Sequence, residues 1–498
     1  MKLHEFPFLK FCMANPDWAI NLLERSETVV DFFRRGALKS SSSISNLGDV
    51  LRLSVSGTPV PQGQMYHSMK HCVVSNFVEG FAIGGGMSVI VSVIPSLLKG
   101  NVRRAAGAVA TFGNVRVALF FGSLMSICNT GMYFEREAGG SSTLRSRRRR
   151  MATRLLIGLL SGLSVSVLPK GIRRFIVYFL FTRSLEVLAR LIRSKRSRAI
   201  SDDNDADTIV SGEDNTFSAH EVVGLASGSM AVIITAWFRF THLVPKGYLT
   251  FLQGINNLTH VQVDGVQRAV KNDCQGFPHI QRVVDREVRM CSLIHPEAQT
   301  CTDFFTNFII KGLLTRSGPF YLKLYSLPFI YSLIFANKTK SAASLSLATH
   351  FIARIWWSSL FLAVLNASAA GTVCLVSKVE PIATSTIVPL TLHASLGGAV
   401  SGLALYLEQK SRRLELSLYL FGQAIQILLA AYAASGWWYP RRGLDILVTA
   451  SSISLITFAY WHQEEQECRQ HQIIRPGYSA LIHKIIDTTE NRHTFIWK

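Results

Sequence analysis

The feature that most constrains this chain of 498 residues is a series of apolar runs, most of them close to twenty residues long. A helix rises about 1.5 Å per residue, so about twenty apolar residues span a bilayer core of about 30 Å. The sequence therefore predicts an all-α fold, a polytopic integral membrane protein with about ten helices. The runs lie at 72–98, 112–134, 151–168, 175–192, 222–240, 320–336, 351–376, 386–407, 414–436 and 444–461.

Polar segments divide the chain into five parts. We predict a polar N-terminal extension, a first membrane repeat, a polar linker with a Cys/His segment, a second membrane repeat and a C-terminal tail, at 1–65, 66–249, 250–300, 301–485 and 486–498. Within the first repeat, the loop at about 195–217 changes abruptly from basic to acidic residues and is too polar to bury a core, so we expect it to be disordered. Residues 1–35 contain five acidic residues and no secretory apolar region, so we expect any organelle targeting signal to be internal.

Internal similarity indicates that the two sets of five runs are copies of one unit. A gap-free shift of 240 residues aligns 158–188 with 398–428, and a shift of 224 aligns 221–237 with 445–461. Five crossings per repeat, an odd number, would invert the second repeat relative to the first, whereas four would leave the repeats parallel. Lys and Arg flank nearly every loop, so the positive-inside rule does not choose between these arrangements.

Three glycine pairs have a spacing of four residues, which places each pair on one helix face and lets a neighbouring backbone approach closely. We interpret these glycines as helix-packing positions within one chain, with a dimer or sliding interface as the alternative. The pairs are Gly158 and Gly162, Gly398 and Gly402, and Gly224 and Gly228.

Four polar side chains stand inside apolar runs. Arg183 and Glu186 share one helix face, and Gln423 and Gln426 occupy the matching positions in the second repeat. An ionisable group at membrane depth costs at least about 3 kcal/mol unless it is paired or hydrated. We take these residues as candidates for an intramembrane polar pathway or headgroup site. The alternative is an ion pair that only ties helices together, or side chains that snorkel outward.

Four further residues are typical of a membrane interface. Glu221 and Asp445 begin the last run of each repeat, and Trp237 and Trp461 stand near its end. We interpret them as interfacial anchors.

The positive charge is concentrated rather than spread. The chain has 52 Lys and Arg against 32 acidic residues, and sixteen of the basic residues fall within 135–200. Beside an anionic lipid surface each basic side chain contributes about 1 kcal/mol, so we expect the densest group to bind headgroups and expect no nucleic acid. Protein docking or targeting is the alternative role, and a second copy of the chain or other membrane proteins are candidate partners. The group consists of Arg145, Arg147, Arg148, Arg149, Arg150 and Arg154.

One segment brings soft metal ligands close together. Cys291, His295 and Cys301 are weak metal candidates, because zinc needs a fourth ligand, for which His279 or Cys274 would have to serve. A redox-sensitive pair and a structured turn ahead of a helix are the alternatives. Cys128 and Cys374 lie inside apolar runs and are interpreted as small buried hydrophobes. Because a fourth metal ligand is not evident, we predict neither a metal nor a cofactor.

Enzyme signatures are missing from the sequence. It contains no Walker A motif, Rossmann glycine loop, His-Glu-x-x-His or Gly-x-Ser-x-Gly in a fitting context. We therefore predict a protein that is not an enzyme.

The segment 291–332, which contains the Cys/His cluster and a Tyr/Pro-containing helix, resembles the cysteine-containing segment of the transmembrane protein 135 family. The stretches 395–426, 158–186 and 245–248 are similar to other parts of that family, and the resemblance covers about 70–495. In the family the cysteine-containing segment opens the chain, whereas here it begins the second half. The resemblance implies membership of the broad group that includes the Tim17, Tim22 and Tim23 translocase subunits and a small peroxisomal membrane protein.

The same resemblance implies residence in peroxisomal or mitochondrial membranes and a role in organelle lipid handling and mitochondrial dynamics. We accordingly expect a multi-pass protein that supports passage of a lipid or metabolite. The first alternative is a component of a protein or peptide translocation machinery. The second, a membrane enzyme acting on lipid, is disfavoured because no acid/base constellation is present.

Overall fold

Helices separated by short breaks make up the part of the chain that the structure describes. The computed structural model describes residues 73–86, 88–89, 107, 111–138, 144–203, 217–273, 275–285, 287–296, 300–335, 341–379, 390–436, 443–465 and 474. The predicted extension at 1–65, the tail at 486–498 and residues 204–216 of the predicted loop lie outside these ranges.

Every regular element within the described residues is helical, which confirms the all-α prediction. Residues Leu163–Val167 and Leu403–Leu407 form 3₁₀ turns, and Leu313–Ser317 form a π-helical turn. The helices are α1 (73–86), α2 (Phe112–Ala138), α3 (Leu144–Gly162), α4 (Lys170–Asp203), α5 (Ala219–Arg239), α6 (Lys246–Ile255), α7 (His260–Lys271), α8 (Pro278–Val284), α9 (Cys291–Ile294), α10 (Cys301–Gly312), α11 (Gly318–Phe335), α12 (Ser341–Val379), α13 (Leu390–Gly402), α14 (Lys410–Ala434) and α15 (Leu444–Glu465).

Six stretches of the described residues are long and apolar enough to cross a membrane, so the chain is a multi-pass membrane protein. They are Arg150–Val167, Ala219–Arg239, Ala348–Val379, Leu390–Leu407, Lys410–Ala434 and Leu444–Trp461. The larger number of about ten crossings stays a prediction. The run at 175–192 is not among the six, because the part of α4 that it covers carries several charged residues.

Large apolar side chains are exposed on the surfaces of these helices. Leu156 and Leu160 are exposed on α3, and Leu396 and Val400 are exposed at the matching positions of α13. In lipid, apolar side chains face outward while small residues mediate contact between helices. The surface therefore agrees with a bilayer environment.

The helices form two compact units, and each unit draws on both halves of the sequence. One unit comprises Met1–Thr216 with Arg441–Lys498, and the other comprises Phe217–Pro440. In the first unit, α15 packs on α3 and α4. In the second unit, α5 packs on α13 and α14. The last helix of each predicted repeat thus packs on helices from the other predicted repeat.

Both units contain a helical hairpin with the same turn. In the first, Ser161 bonds back to the carbonyl of Gly158 (3.0 Å), a 3₁₀ turn follows, and the chain becomes extended at Leu168 before α4. In the second, Ser401 bonds to the carbonyl of Gly398 (2.7 Å), and the chain becomes extended before α14. The 3₁₀ turn tightens the helix end and so permits the abrupt reversal.

The predicted loop at about 195–217 begins later than the sequence indicated. Helix α4 continues to Asp203, so residues 195–203 have helical backbone. Lys and Arg are good helix formers, and a helix that is already nucleated extends at little cost. The low apolar content that suggested disorder therefore does not end the helix.

The polar linker at 250–300 contains short helices that bury part of their surface. Helix α7 begins with a capping box between Thr259 and Gln262 and ends at Asn272, which is left-handed (φ 59°). Its Val266 is buried, and Gln267 donates to the carbonyl of Trp237 at the end of α5 (3.0 Å). These contacts hold the linker against α5 within the second unit.

Candidate functional site

The glycine pair of the first unit lies against the last helix of the chain. A Cβ added to Gly158 would come within 3.0 Å of the Cα atom of Ser454, and one added to Gly162 would meet the Cα atom of Ala450 in the same way. Ser454 also donates a hydrogen bond to the carbonyl of Leu155 (2.7 Å). The backbones of α3 and α15 are thus in direct contact, which only residues without a side chain permit.

The glycine pair of the second unit makes the corresponding contacts with α5. A Cβ on Gly398 would collide with the backbone of Met230 and Ala231, and one on Gly402 with the backbone of Ser227. The shift of 224 residues that relates α5 to α15 carries Met230 onto Ser454. Ser227 corresponds to Ser451, the neighbour of Ala450, so the two glycine pairs meet related positions of α5 and α15 to within one residue, in agreement with the prediction of a duplicated unit.

The third glycine pair does not pack against another helix among the described residues, contrary to its interpretation as a packing motif. A Cβ added to Gly224 or Gly228 would meet no atom within 4 Å. The face of α5 that contacts α13 carries Ser227, Met230 and Ala231 instead. Gly224 and Gly228 do share one face of α5, but α5 contacts α13 through a different face.

The charged candidates of the first unit form a buried cluster with a third residue that the sequence analysis did not select. Arg183 donates to one oxygen of Glu186 (2.8 Å), and Arg190 donates to the other (3.0 Å). The three side chains are 8%, 9% and 5% exposed for Arg183, Arg190 and Glu186 respectively. Arg190 lies four residues after Glu186, a spacing that could have revealed it.

This cluster lies beside a stretch able to span the membrane. Ser184, next to Arg183, has its hydroxyl oxygen 3.3 Å from that of Ser452, which stands near the middle of Leu444–Trp461. A charged group at that depth is expensive and normally faces a partner or a polar path. Arg183, Arg190 and Glu186 meet this requirement by pairing with one another.

The matching positions in the second unit carry uncharged amides. Gln423 is buried and Gln426 is half-buried on α14. They replace Arg183 and Glu186 under the shift of 240 residues, so the charges of the first unit have neutral counterparts here.

The second unit has its own buried charge, which sequence reasoning missed. Glu408, 1% exposed, stands at the turn between α13 and α14 and accepts hydrogen bonds from Ser358 (3.0 Å) and Arg412 (3.2 Å). Arg412 also donates to Ser358 (2.9 Å) and to the hydroxyl of Tyr325. The second carboxylate oxygen of Glu408 has no hydrogen-bond partner among the described residues. The sequence signal that could have revealed it is a Glu at a predicted helix break followed four residues later by an Arg, here Glu408 and Arg412.

Among the four residues interpreted as interfacial anchors, the two acidic residues form surface contacts and the two tryptophans are buried. Asp445 forms an ion pair with Arg173 (2.8 Å), and Glu221 is exposed and completes a capping box with Ser218. Trp237 and Trp461 are buried, at 5% and 2% exposed. An indole enclosed by protein cannot reach the headgroup region, so the anchor interpretation does not fit these two tryptophans.

The basic group before α3 is described only in part. Arg150 and Arg154 lie within the described residues, and the guanidinium of Arg154 stands 5.5 Å from the ring centroid of Trp461. Helical backbone is described for 145–149, but the side chains of Arg145, Arg147, Arg148 and Arg149 lie outside the description. Their binding of anionic lipid stays a prediction.

Three ligating side chains, those of Cys291, His295 and Cys374, meet in the second unit, and a fourth, that of Cys301, lies beside Cys291. Cys291 opens α9, His295 follows its last residue, Cys301 opens α10, and Cys374 lies near the end of α12. The sulfur atoms of Cys291 and Cys301 are 3.8 Å apart. The ligand atoms of Cys291, His295 and Cys374 all lie within 4.8 Å of one another.

Cys374 is buried, as the sequence predicts, but sequence reasoning did not connect it with Cys291 and His295. It was interpreted as a small buried hydrophobe, and His279 or Cys274 was offered as the fourth ligand. His279 is exposed on α8, and Cys274 lies outside the described residues. Cys374 is remote in sequence from Cys301, so no spacing pattern could have joined it to the others.

The neighbours of Cys291 favour its thiolate. Hydrogen bonding to Cys374 lowers the pKa of Cys291 most, hydrogen bonding to Cys301 and the nearby His295 lower it further, and desolvation opposes these effects. Burial and the charge of Cys291 raise the pKa of Cys301. Cys291 is therefore the thiol of this pair that ionises first.

Comparison with known proteins gives no relative for this chain: no family model, curated protein or solved structure matches it.

Proposed function

We propose that this multi-pass protein resides in peroxisomal or mitochondrial membranes and supports the passage or redistribution of a lipid or small metabolite, without acting as an enzyme. The observation that carries the proposal is the Arg183, Glu186 and Arg190 cluster beside the middle of a membrane-spanning stretch. Guanidinium groups bind phosphate and carboxylate through paired hydrogen bonds, so two of them around one carboxylate suit an anionic headgroup or metabolite. The family resemblance supports the organelle and the link to lipid.

A reconstituted flux assay tests the role of the cluster. Proteoliposomes would be loaded with a fluorescent anionic phospholipid or a labelled organic anion, and its movement would be followed for the natural chain and for Arg183→Gln. This change introduces the amide found at the matching Gln423 and leaves the Glu186–Arg190 pair intact. We expect flux to fall at least about tenfold, the effect of losing one charge-assisted contact.

A control substitution on the same helix separates the cluster from a general loss of charge. Arg173→Gln removes a partly exposed Arg that pairs with Asp445 at the start of α4. We expect this variant to keep its flux. Equal flux through all three proteins would remove the cluster from the pathway, and flux no greater than that of protein-free vesicles would overturn the proposal.

The proposed residence has its own test. A fluorescent tag at each end of the chain, combined with protease protection of isolated organelles, reports the organelle and the parity of crossings together. Tags confined to the plasma membrane or secretory pathway would contradict a peroxisomal or mitochondrial protein.

A second candidate function is a protein-translocation component of the Tim17 type. The observation that favours it is the close glycine packing of a helical hairpin in both units, the kind of helix contact on which that group is built according to the resemblance. Crosslinking of arrested organelle precursors to the chain, above the level seen with unrelated membrane proteins, is the expected result. A lack of enrichment would leave lipid or metabolite passage as the function to pursue.

A further inference from the structure

The strongest unassigned feature is the meeting of Cys291, His295 and Cys374, with Cys301 beside Cys291. Three of these residues come from the linker and the helix after it, and the fourth comes from the end of a membrane-spanning helix. Three thiols and one imidazole are one of the ligand sets of structural zinc sites. The charged clusters discussed above share no residue with this site.

The separation of the sulfur atoms has the size that a shared zinc ion requires. Zinc binds sulfur at about 2.3 Å, so two sulfur ligands at neighbouring corners of a tetrahedron are about 3.8 Å apart. The Sγ atoms of Cys291 and Cys301 are 3.8 Å apart. A disulfide would bring them to about 2.0 Å, so these thiols have the spacing of two ligands rather than of a bonded pair. Both are free cysteines in the structure.

The histidine provides an independent indication. His295 is 9% exposed, and its Nε2 atom has no hydrogen-bond partner among the residues the structure describes. Its ring stacks on Phe304, with centroids 4.8 Å apart. A buried ring nitrogen without a partner is costly, and a metal ion bound at Nε2 would remove that cost.

The surroundings hold the ligands in place. Gln262 donates to the carbonyl of Ile294, the residue before His295 (2.7 Å), and the Ser377 hydroxyl accepts from the backbone N–H of Met290, the residue before Cys291 (2.9 Å). Zinc with three thiolates carries one net negative charge. The Lys378 ammonium interacts electrostatically with Cys301 and provides a positive charge that partly balances this negative charge.

We propose that Cys291, His295, Cys301 and Cys374 bind one zinc ion as a closed, structural site that fastens the linker to the end of α12. All four ligands are supplied by the protein, which leaves no open position for substrate. The site keeps the junction between linker and membrane helix rigid, and it acts independently of the proposed passage of lipid or metabolite.

Metal analysis of the full-length protein in detergent, purified without added metal or chelator, is the first test. We expect about one zinc per chain, because metal binding at such sites is tight enough to survive purification. Cys374→Ser should retain less than about one fifth of that zinc, since a three-ligand site binds far more weakly. Cys128→Ser, which removes a buried thiol of the first unit, is the control and should keep its zinc.

A second measurement keeps the proposal testable if Cys374→Ser fails to fold. The natural protein would be treated with N-ethylmaleimide before and after a strong chelator, and alkylation at each cysteine would be read by mass spectrometry. We expect Cys291 and Cys301 to react only after chelation, and Co²⁺ added to the chelated protein to give the visible absorption of a tetrahedral thiolate complex. Natural protein without zinc whose Cys291 and Cys301 react freely would overturn the site, as would a Cys291–Cys301 disulfide in protein kept under reducing conditions until analysis.

Discussion

At the scale of single residues, Glu408 shows how a charge is kept inside the second unit. The carboxylate is buried at the helix turn and depends on Ser358 and Arg412 for its hydrogen bonds. The corresponding turn of the first unit has no such ion pair, because Leu168 and Ile172 occupy the positions that match Glu408 and Arg412. The chain therefore contains both an ionic and an apolar version of one structural element.

This comparison predicts the result of exchanging the two versions. Glu408→Leu leaves Arg412 buried without its carboxylate and should lower the free energy of unfolding by about 3–5 kcal/mol. The double variant Glu408→Leu with Arg412→Ile replaces the pair by the residues of the first unit and should recover most of that loss. Thermal unfolding in detergent measures both. A double variant no more stable than the single one would show that Glu408 and Arg412 do not stabilise each other.

At the scale of elements, the contact between hairpin and neighbouring helix depends on glycine only where backbones touch. Gly398 and Gly402 face the backbone of α5, whereas Gly224 and Gly228 on α5 itself face open space. The same four-residue spacing of glycines thus permits close backbone contact on α13 but mediates no contact on α5 within the described residues.

Alanine substitution should separate these consequences. Gly398→Ala pushes a methyl group into the carbonyl of Met230 and should destabilise the protein by about 1–3 kcal/mol or more, because two backbones have to move apart. Gly224→Ala adds a methyl group where no atom lies within 4 Å, and should be neutral or stabilising by up to about 1 kcal/mol through helix propensity. Unfolding temperatures in one detergent would compare the two variants. A reversed order would contradict the assignment of the packing face.

At the scale of the whole molecule, each unit is completed by a helix from the other half of the sequence. Helix α15 packs on α3 and α4, and α5 packs on α13 and α14. Contiguous repeats would instead pair α5 with α3 and α4. The observed arrangement means that the first unit needs the C-terminal part of the chain for its core.

Engineered cysteines test this exchange directly. Ser184 and Ser452 have hydroxyl oxygens 3.3 Å apart, so Ser184→Cys with Ser452→Cys should form a disulfide readily on mild oxidation. The control pairs Ser184→Cys with Gly228→Cys, since Gly228 is the position that matches Ser452 in the first half. Mass spectrometry of the linked peptides distinguishes the two. A bond with residue 228 and none with residue 452 would mean that the repeats fold contiguously.

Much of the fold and part of the site follow from local sequence. The hydrophobic runs predict the membrane helices because a sufficiently long apolar helix is stable in lipid regardless of which helices it contacts. Arg183 and Glu186 were found because a charge is conspicuous in an apolar run, and their three-residue spacing places them on one helix face. The breaks after Gly162 and Gly402 recur in both halves, so the gap-free shift of 240 residues already marked them as equivalent.

The sequence by itself determined that this is an all-helical, multi-pass membrane protein with a recurring glycine-containing hairpin, because helix formation in lipid depends on local composition. Only the tertiary structure decided which helix completes each unit, which glycines meet a backbone, and that Cys374 joins Cys291, His295 and Cys301. Those outcomes depend on contacts between residues distant in sequence, and helix periodicity places a residue on a face without stating which neighbour that face meets.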